Sequence, residues 1–308
     1  MYPVLLKPVF KEMIWGSESW DISCRPNEMC VIENGPAAGS TFESFIMKDP
    51  AAVLGTRLAG AERFPLLVKI INAREQLSVQ VHPDDAYTES KGECDSGKSE
   101  MWYIIKPPDD GHLIIGLNPD VTREKLAEAY KNGTVENCLN RLRVQAGDMI
   151  NIPPGLVHAG TPGTVLAEIQ QNSDITYRLY DYNRTGPDGK PRQLHVENAL
   201  AVSDCENRLP KTVLSLENAI KTGANTIIRA IEEEYFSVHK YILNESLKEV
   251  SNPEVFSVFT CVEGEVIIES QNARVRLSAK KSVFMPAGIG EYSLRPKDKK
   301  AVLLKSFP

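Results

Sequence analysis

Short apolar runs, either alternating or rich in β-branched residues, recur along most of the chain. Such runs suit pleated strands, and the Pro, Gly and Asp residues between them end strands. Many short strands separated by turn signals are typical of an all-β sandwich or barrel. The strands predicted in the first two thirds of the chain are Leu66–Asn72, Gln76–His82, Met101–Ile105, His112–Gly116, Asp148–Ile152, Val165–Gln171 and Thr176–Leu179.

Helical patterns interrupt the strands at a few places. The segment Val121–Lys131 has Thr122 as a candidate N-cap and Gly133 just beyond its end, which predicts a helix. Val135–Leu142 is predicted as a second short helix, so that residues 121–142 form a helical insertion between two barrel strands. Further helical patches are predicted at Val196–Val202 and Leu216–Lys221.

Two segments share one layout and suggest an internal duplication. In Gly147–His158 an apolar strand is followed by Pro-Pro-Gly and, after two more residues, by a histidine. In Lys280–Glu291 a similar strand is followed by Pro-Ala-Gly and, at the same distance, by a glutamate. The match predicts two related barrels in tandem, the first with its helical insertion at residues 1–230 and the second at 231–308. Because the second copy lacks the histidine, we predict that it binds no metal.

Composition and charge narrow the function classes. The chain has 308 residues, a net charge of -6 at pH 7 and 25% charged residues, a balance that disfavours nucleic acid and membrane surfaces as partners. No apolar run reaches the length of a membrane span, and Met1–Phe10 lacks the apolar core of a signal peptide. The six cysteines are scattered, which predicts free thiols in the cytoplasm. The pattern assigns no oligomeric state.

Polar residues at strand spacing predict a metal site. Gln80 and His82 lie two residues apart and therefore project from the same face of a strand. Glu100 lies near a second strand, and His158 follows the Pro-Pro-Gly turn. Two imidazoles, a carboxylate and an amide form a ligand set of the kind that catalytic zinc uses, and other divalent metals bind such sets too. Spacing alone leaves open whether the four side chains converge, because histidines near strand ends are often structural.

A second group of residues is suited to a polar pocket or an anion. Glu168, Gln170 and Asn172 share one strand face, which either lines a wet pocket or simply faces solvent. Arginine binds phosphate through two parallel hydrogen bonds, so clustered basic residues can hold an anionic group. The cationic candidates are Lys98, Arg178, Arg184, Lys190 and Arg192.

Several motifs in series resemble class I mannose-6-phosphate isomerase, in its short bacterial form. The resemblance covers most of the first 200 residues, in order and at matching spacing, whereas the last quarter matches only in general character. The motifs that carry it are Val9–Gly16, Gln80–Pro83, Gly97–Tyr103, Pro153–Ala159, Tyr177–Tyr182 and Leu194–Val196.

The resemblance implies a cupin fold, a double-stranded β-helix or jelly-roll barrel, with one zinc ion per chain. The implied zinc ligands are Gln80, His82, Glu100 and His158, the same four residues that strand spacing singles out. The implied activity is the interconversion of mannose 6-phosphate and fructose 6-phosphate through an enediol. In that reaction Arg178 would be the catalytic arginine and Lys98 would contact the phosphosugar substrate.

Two other functions and three candidate bases remain open at this stage. Two histidines and a carboxylate also suit an iron-dependent oxygenase, and a cupin can bind sugar without catalysis. The general base of an isomerase could be Glu168, Asp181 or His195, and the sequence does not separate these three residues from structural roles.

Overall fold

The computed structural model describes residues 1–186, 189–206 and 219–308. Within this part of the chain antiparallel strands predominate, which confirms the predicted all-β class. The strands are β1 (Val4–Lys7), β2 (Val9–Met13), β3 (Gly16–Ile22), β4 (Cys24–Arg25), β5 (Glu28–Met29), β6 (Val31–Ile32), β7 (Leu66–Ala73), β8 (Val79–Val81), β9 (Glu100–Lys106), β10 (His112–Leu117), β11 (Leu139–Arg143), β12 (Met149–Ile152), β13 (His158–Ala159), β14 (Val165–Gln171), β15 (Tyr177–Tyr180), β16 (Ala219–Thr222), β17 (Asn225–Glu232), β18 (Ser237–Leu243), β19 (Leu247–Val250), β20 (Ser257–Glu263), β21 (Glu265–Ser270), β22 (Ala273–Ser278), β23 (Lys281–Met285), β24 (Glu291–Pro296) and β25 (Ala301–Phe307).

Helices are short and few among the described residues. They are α1 (Phe42–Ile46), α2 (Pro50–Leu54), α3 (Asp85–Lys91), α4 (Arg123–Lys131) and α5 (Val196–Val202). No helix in the described ranges is long and apolar enough to cross a membrane. All six cysteines are unpaired thiols, as predicted.

The chain folds into two compact units that do not follow sequence order. One, here called the terminal unit, contains Met1–Lys11, Ser19–Ile70 and Val213–Pro308; the other, the central unit, contains Glu12–Glu18 and Ile71–Thr212. The predicted division into one domain at residues 1–230 and a second at residues 231–308 stays a prediction. The chain passes from one unit to the other within β2, within β3 and within β7.

The central unit contains the predicted metal-site strands. Five strands form a sheet in the order β11-β10-β13-β8-β15, and β9 pairs with both β12 and β14. Val79 and Val81, which alternate with the polar residues of β8, are fully buried in an apolar cluster. Because β8 has period-two alternation, burying the valines turns the intervening Gln80 to the other face.

The helical insertion is confirmed only in its first part. Helix α4 begins after Thr122, whose side chain accepts a hydrogen bond from the backbone of Lys125 as an N-cap does. The predicted second helix over 135–142 is wrong beyond its first turn. Val135–Cys138 is a short 3-10 helix, and the chain then continues as β11, which pairs with β10. In β11 the two leucines, Leu139 and Leu142, are three residues apart, a spacing that also suits a helix, so pairing with β10 and not periodicity decides that this segment is a strand.

The terminal unit is built from larger sheets. Eight strands pair in the order β16-β17-β18-β25-β20-β23-β1-β6, and four more pair in the order β19-β24-β21-β22. The helical patch predicted at 216–221 is wrong where it can be compared: Ala219–Thr222 is strand β16, paired with β17, and residues 216–218 lie outside the described residues. The repeated layout is present, since His158 begins β13 and Glu291 begins β24, each after a turn.

Candidate metal centre

Three strands of the central unit bring the predicted ligands together. His82 directly follows β8, Glu100 begins β9 and His158 begins β13, where it lies opposite Gln80. The ligand atoms of His82, Glu100 and His158 all lie within 4.8 Å of one another. None of these three residues is more than 1% exposed. The convergence that spacing could not establish is therefore present.

The turn before His158 depends on a glycine. Gly155 has φ of +86°, a conformation that costs other residues energy, and a Cβ there would lie 3.0 Å from the carbonyl oxygen of Val202. The Gly155 N–H donates to the carbonyl of His82 at 2.8 Å. This hydrogen bond connects the turn that carries one imidazole to the segment that carries the other.

Backbone carbonyls orient both imidazoles. The Nδ1–H of His82 donates to Ile175 and that of His158 donates to Leu156, each at 2.8 Å. This leaves Nε2 of each ring directed at the Glu100 carboxylate, at 3.5 Å from His82 and 3.2 Å from His158. A histidine that binds a metal is held in the same way: one ring nitrogen donates its N–H to a carbonyl, and the other nitrogen binds the metal through its lone pair.

Burial and nearby charges hold His82 and Glu100 in the protonation states that metal binding requires. Burial, together with the nearby Lys98 ammonium, lowers the pKa of His82 to about 4, so its imidazole is neutral at pH 7. Burial alone would raise the pKa of Glu100, but Lys98 and the two histidines outweigh it and hold that pKa well below its usual range. A buried, ionised carboxylate beside the neutral imidazole of His82 suits a divalent cation. The buried Nε2 of His82 also lacks a hydrogen-bond partner among the described residues, as expected of a metal ligand.

Gln80 completes the set as the fourth neighbour. Its Nε2 donates to Nε2 of His158 at 3.3 Å, and its Oε1 lies 3.5 Å from the hydroxyl of Ser78. A half-turn of the amide would place Oε1 toward the imidazoles and Nε2 toward Ser78. The residues present therefore fit a cation held by two nitrogens and two or more oxygens.

The polar face of β14 is buried beside the centre. Glu168 and Gln170 are only 3% and 0% exposed, so the alternative that this face is solvated is wrong. Lys98 Nζ lies 2.7 Å from Oε2 of Glu100 and 3.8 Å from Oε1 of Glu168. Trp102 donates to Oε2 of Glu168 at 2.8 Å. The Lys98 ammonium thus lies between the carboxylates of Glu100 and Glu168.

Arg178 lies next to the centre on β15, opposite Gln80 in the register with β8. Its Nε donates to the hydroxyl of Ser78 at 3.2 Å, and its Nη1 donates to the carbonyl of Gln193 at 2.8 Å. No carboxylate in the described part of the chain forms an ion pair with it. Its backbone exchanges hydrogen bonds with His195, donating to Nδ1 at 3.2 Å and accepting from the backbone N–H at 2.8 Å.

The other arginine candidates are already paired. Asp181, which is 4% exposed, accepts hydrogen bonds from both Arg184 and Arg192. These two arginines line a cavity of about 190 Å³ together with Asp181. Since Asp181 takes up much of their charge, they are weaker candidates for an anion than Arg178. Lys190 is exposed on the neighbouring turn.

Similarity to known proteins decides the family. A model of the phosphomannose isomerase type I catalytic domain matches residues 7–119, and one of the mannose-6-phosphate isomerase cupin domain matches residues 226–303. The chain is 35% identical to mannose-6-phosphate isomerase ManA of Bacillus subtilis over 95% of both chains. This chain belongs to the type I phosphomannose isomerase family. The probable mannose-6-phosphate isomerase GmuF of Bacillus subtilis is 33% identical, over 95% of this chain and 96% of that protein.

The fold of this isomerase agrees with its sequence relatives. A crystal structure of the mannose 6-phosphate isomerase from Bacillus subtilis has a TM-score of 0.88 and 29% identity, covering 99% of each chain. The resemblance drawn from the motifs, and the cupin fold that it implied, are confirmed.

Ser78 is a site residue that the sequence reasoning missed. Its hydroxyl contacts both Arg178 and Gln80, and the residue is 3% exposed. It shares strand parity with Gln80 and His82, so the same spacing argument could have found it. A serine attracts little notice in a sequence because its hydroxyl is usually satisfied by nearby backbone.

Proposed function

We propose that this isomerase holds one zinc ion through Gln80, His82, Glu100 and His158. The donor set supports zinc, since two imidazole nitrogens with oxygen ligands form a common catalytic zinc site. The buried triad supports a resident cation rather than a surface ion. The free thiols and the net charge of -6 support a cytoplasmic protein that acts on a small molecule and binds neither nucleic acid nor membrane.

The activity is that of the family, the interconversion of mannose 6-phosphate and fructose 6-phosphate. A proton moves between C1 and C2 of the sugar through an enediol. When bound, zinc would supply Lewis-acid stabilisation of the sugar oxygens as charge develops on them. The remaining tasks fall to side chains: holding the phosphosugar, stabilising negative charge and moving the proton.

Two cations suit the charged parts of this reaction. Lys98, between Glu100 and Glu168, would donate to a sugar oxygen next to the metal. Arg178 has its Nε and Nη1 fixed by Ser78 and Gln193, and a guanidinium held in this way is pre-organised to stabilise a developing oxyanion. Its backbone link to His195 fixes the strand from which it projects.

Among the three candidate bases, the contacts favour Glu168. Asp181 is saturated by two arginines, and their hydrogen bonds and charge outweigh burial to hold its pKa below the usual range. His195 uses Nδ1 to accept from the backbone of Arg178. Glu168 is a buried carboxylate on the same strand face as Gln170, which lies opposite Glu100. A carboxylate beside the metal is suited to take a proton from one sugar carbon and return it to the other.

A coupled assay of mannose 6-phosphate conversion tests both the metal and the base. Chelation should abolish turnover and added zinc should restore it, while inactivity of zinc-loaded protein would overturn the proposal. Glu168→Gln should lower kcat by about 100-fold or more with zinc retained. Asp181→Asn is the matched control and should keep kcat within a few-fold. If the two effects were reversed, Asp181 would be the base.

A further inference from the structure

The terminal unit contains an open cavity of about 790 Å³ at the ends of β19, β21 and β24. This volume lies in the range of small-molecule pockets. The cavity shares no lining residue with the metal centre. Its polar lining residues are Lys248, Glu249, Glu269, Ser270, Gln271, Glu291, Tyr292 and Ser293.

A largely buried carboxylate lies at the cavity beside an even more buried phenol, that of Tyr292. Glu249, whose side chain is 15% exposed, accepts from the phenols of Tyr241 at 3.1 Å and Tyr292 at 3.2 Å. It also accepts from Nζ of Lys305 at 2.7 Å. Burial and the Glu249 charge raise the pKa of both phenols, so they remain donors. Two carboxylate oxygens have about four acceptor sites, so these three donors leave room for a fourth from a ligand.

Apolar groups lie within the same cavity. Ile289, which belongs to the apolar core of the terminal unit, lines the cavity, and the exposed Val250 lines it as well. Ser270 and Ser293 add hydroxyls, which can donate or accept. The cavity therefore offers an apolar contact next to acceptor-rich polar groups.

We infer that this cavity binds a neutral, hydroxyl-rich ligand of monosaccharide size. The hydroxyls of such a ligand would donate to Glu249 and Ser270, which share one face of the sheet because both are paired opposite Tyr292, while its C–H face would cover Ile289. Of the described lining residues, Glu249, Glu269 and Glu291 are acidic and Lys248 is basic, so a phosphorylated sugar is disfavoured electrostatically. The site is thus distinct in chemistry from the phosphosugar site.

The internal repeat explains how this selectivity could arise. Glu291 begins the strand after the turn, as His158 does in the central unit. The imidazole of His158 is buried next to the Glu100 carboxylate, whereas Glu291 is exposed at the cavity and can accept hydroxyl hydrogen bonds. Where the first copy has a proposed metal ligand, the second copy has a carboxylate that can accept hydrogen bonds from sugar hydroxyls.

Saturation-transfer NMR and calorimetry on the full chain test the inference, with unphosphorylated D-mannose, D-glucose and D-fructose as probes. Saturable binding of at least one hexose is expected, and it should persist in the His82→Ala/His158→Ala double variant. That variant separates this site from the metal centre, so binding there does not depend on the proposed function. Absence of saturable binding, or its loss in the double variant, would overturn the inference.

Three variants locate the site. Glu249→Gln should weaken hexose binding by about tenfold or more, since it removes a charged acceptor. Ser270→Phe should abolish binding by filling the cavity, and it removes no hydrogen bond of Glu249 because the Ser270 hydroxyl donates to the carbonyl of Ala273. Glu263→Gln, in an exposed ion pair with Lys300 on the same unit, should bind like the parent. Unchanged affinity in both cavity variants, or tighter binding of putrescine than of any hexose, would contradict the assignment.

Discussion

Glu100 is the residue on which the metal centre depends most. It faces the imidazoles of His82 and His158 and the Lys98 ammonium in a fully buried site. A carboxylate in this place has two effects: it would supply the anionic ligand of the proposed zinc site, and it neutralises a lysine that is 3% exposed. Removing the charge should therefore affect both metal affinity and the state of Lys98.

We expect Glu100→Gln to lower the zinc content of purified protein by about tenfold or more, because ligation loses its charge and the buried ammonium then repels the cation. Metal analysis after gel filtration measures this. Glu136→Gln, an exposed change of the same chemistry, is the control and should keep full zinc. Full occupancy in Glu100→Gln would remove this residue from the ligand set.

Asp21, in the terminal unit, should respond to pH in the opposite sense from a paired carboxylate. It is 3% exposed, and burial raises its pKa despite hydrogen bonds and the charge of Lys281. An acid whose folded pKa is raised favours the folded state only when protonated, so stability falls as pH rises from the unfolded pKa through the folded one. Ionisation of Asp21 is therefore destabilising, and its Oδ2 has no hydrogen-bond partner among the described residues.

Asp21→Asn should therefore raise the unfolding free energy at neutral pH. The gain should shrink as the pH falls, because protonation of Asp21 removes the buried charge from the parent protein as well. Thermal melts from pH 4 to 8 measure the difference, with exposed Asp298→Asn as control. A variant that is destabilised at pH 7, or a gain independent of pH, would contradict the burial argument.

At the scale of elements, helix α4 allows a direct test of whether the N-cap read from the sequence stabilises the protein. Thr122 caps it through Lys125, and an alanine there would leave that backbone donor without its side-chain acceptor. We expect Thr122→Ala to cost about 1 kcal/mol of unfolding free energy. Chemical denaturation measures it. Thr122→Asn should restore most of the loss because asparagine also caps, and equal stability of all three proteins would show that the insertion does not contribute to the measured transition.

Period-two spacing predicted the strands of the site well because the face to which a strand side chain points depends only on its position along that strand. Val79 and Val81 face the apolar cluster, so Gln80 necessarily faces the other way. Strand parity could not predict that Asp181 would be taken up by Arg184 and Arg192, since that pairing depends on how a turn-rich loop closes. The helix predicted over 135–142 was also wrong at 139–142, where pairing with β10 decides the structure.

At the scale of the whole molecule, the sequence order conceals the division into units. Residues 1–11 and 19–70 group with the C-terminal strands, and β1 pairs with β23 across nearly the whole chain. Such pairing joins segments that are far apart in the sequence, and no local sequence pattern indicates it. A domain boundary drawn near residue 230 from local patterns therefore contains no information about this pairing. The repeat was nevertheless visible, because a strand, a turn and one polar residue recur within twelve positions.

Metal removal should change the stability of the central unit in particular. An ion that binds only the folded state stabilises it by about 2.7 kcal/mol at 100 times its dissociation constant, so chelation should lower Tm by on the order of 5 °C. Hydrogen exchange should show the loss of protection at β8, β9 and β13 and little change at β20 and β25. The His82→Ala/His158→Ala double variant should melt at the same temperature with and without chelator, because it has no bound ion to lose. If chelation left Tm and exchange of the parent unchanged, the buried triad would be a structural hydrogen-bonded cluster rather than a metal centre.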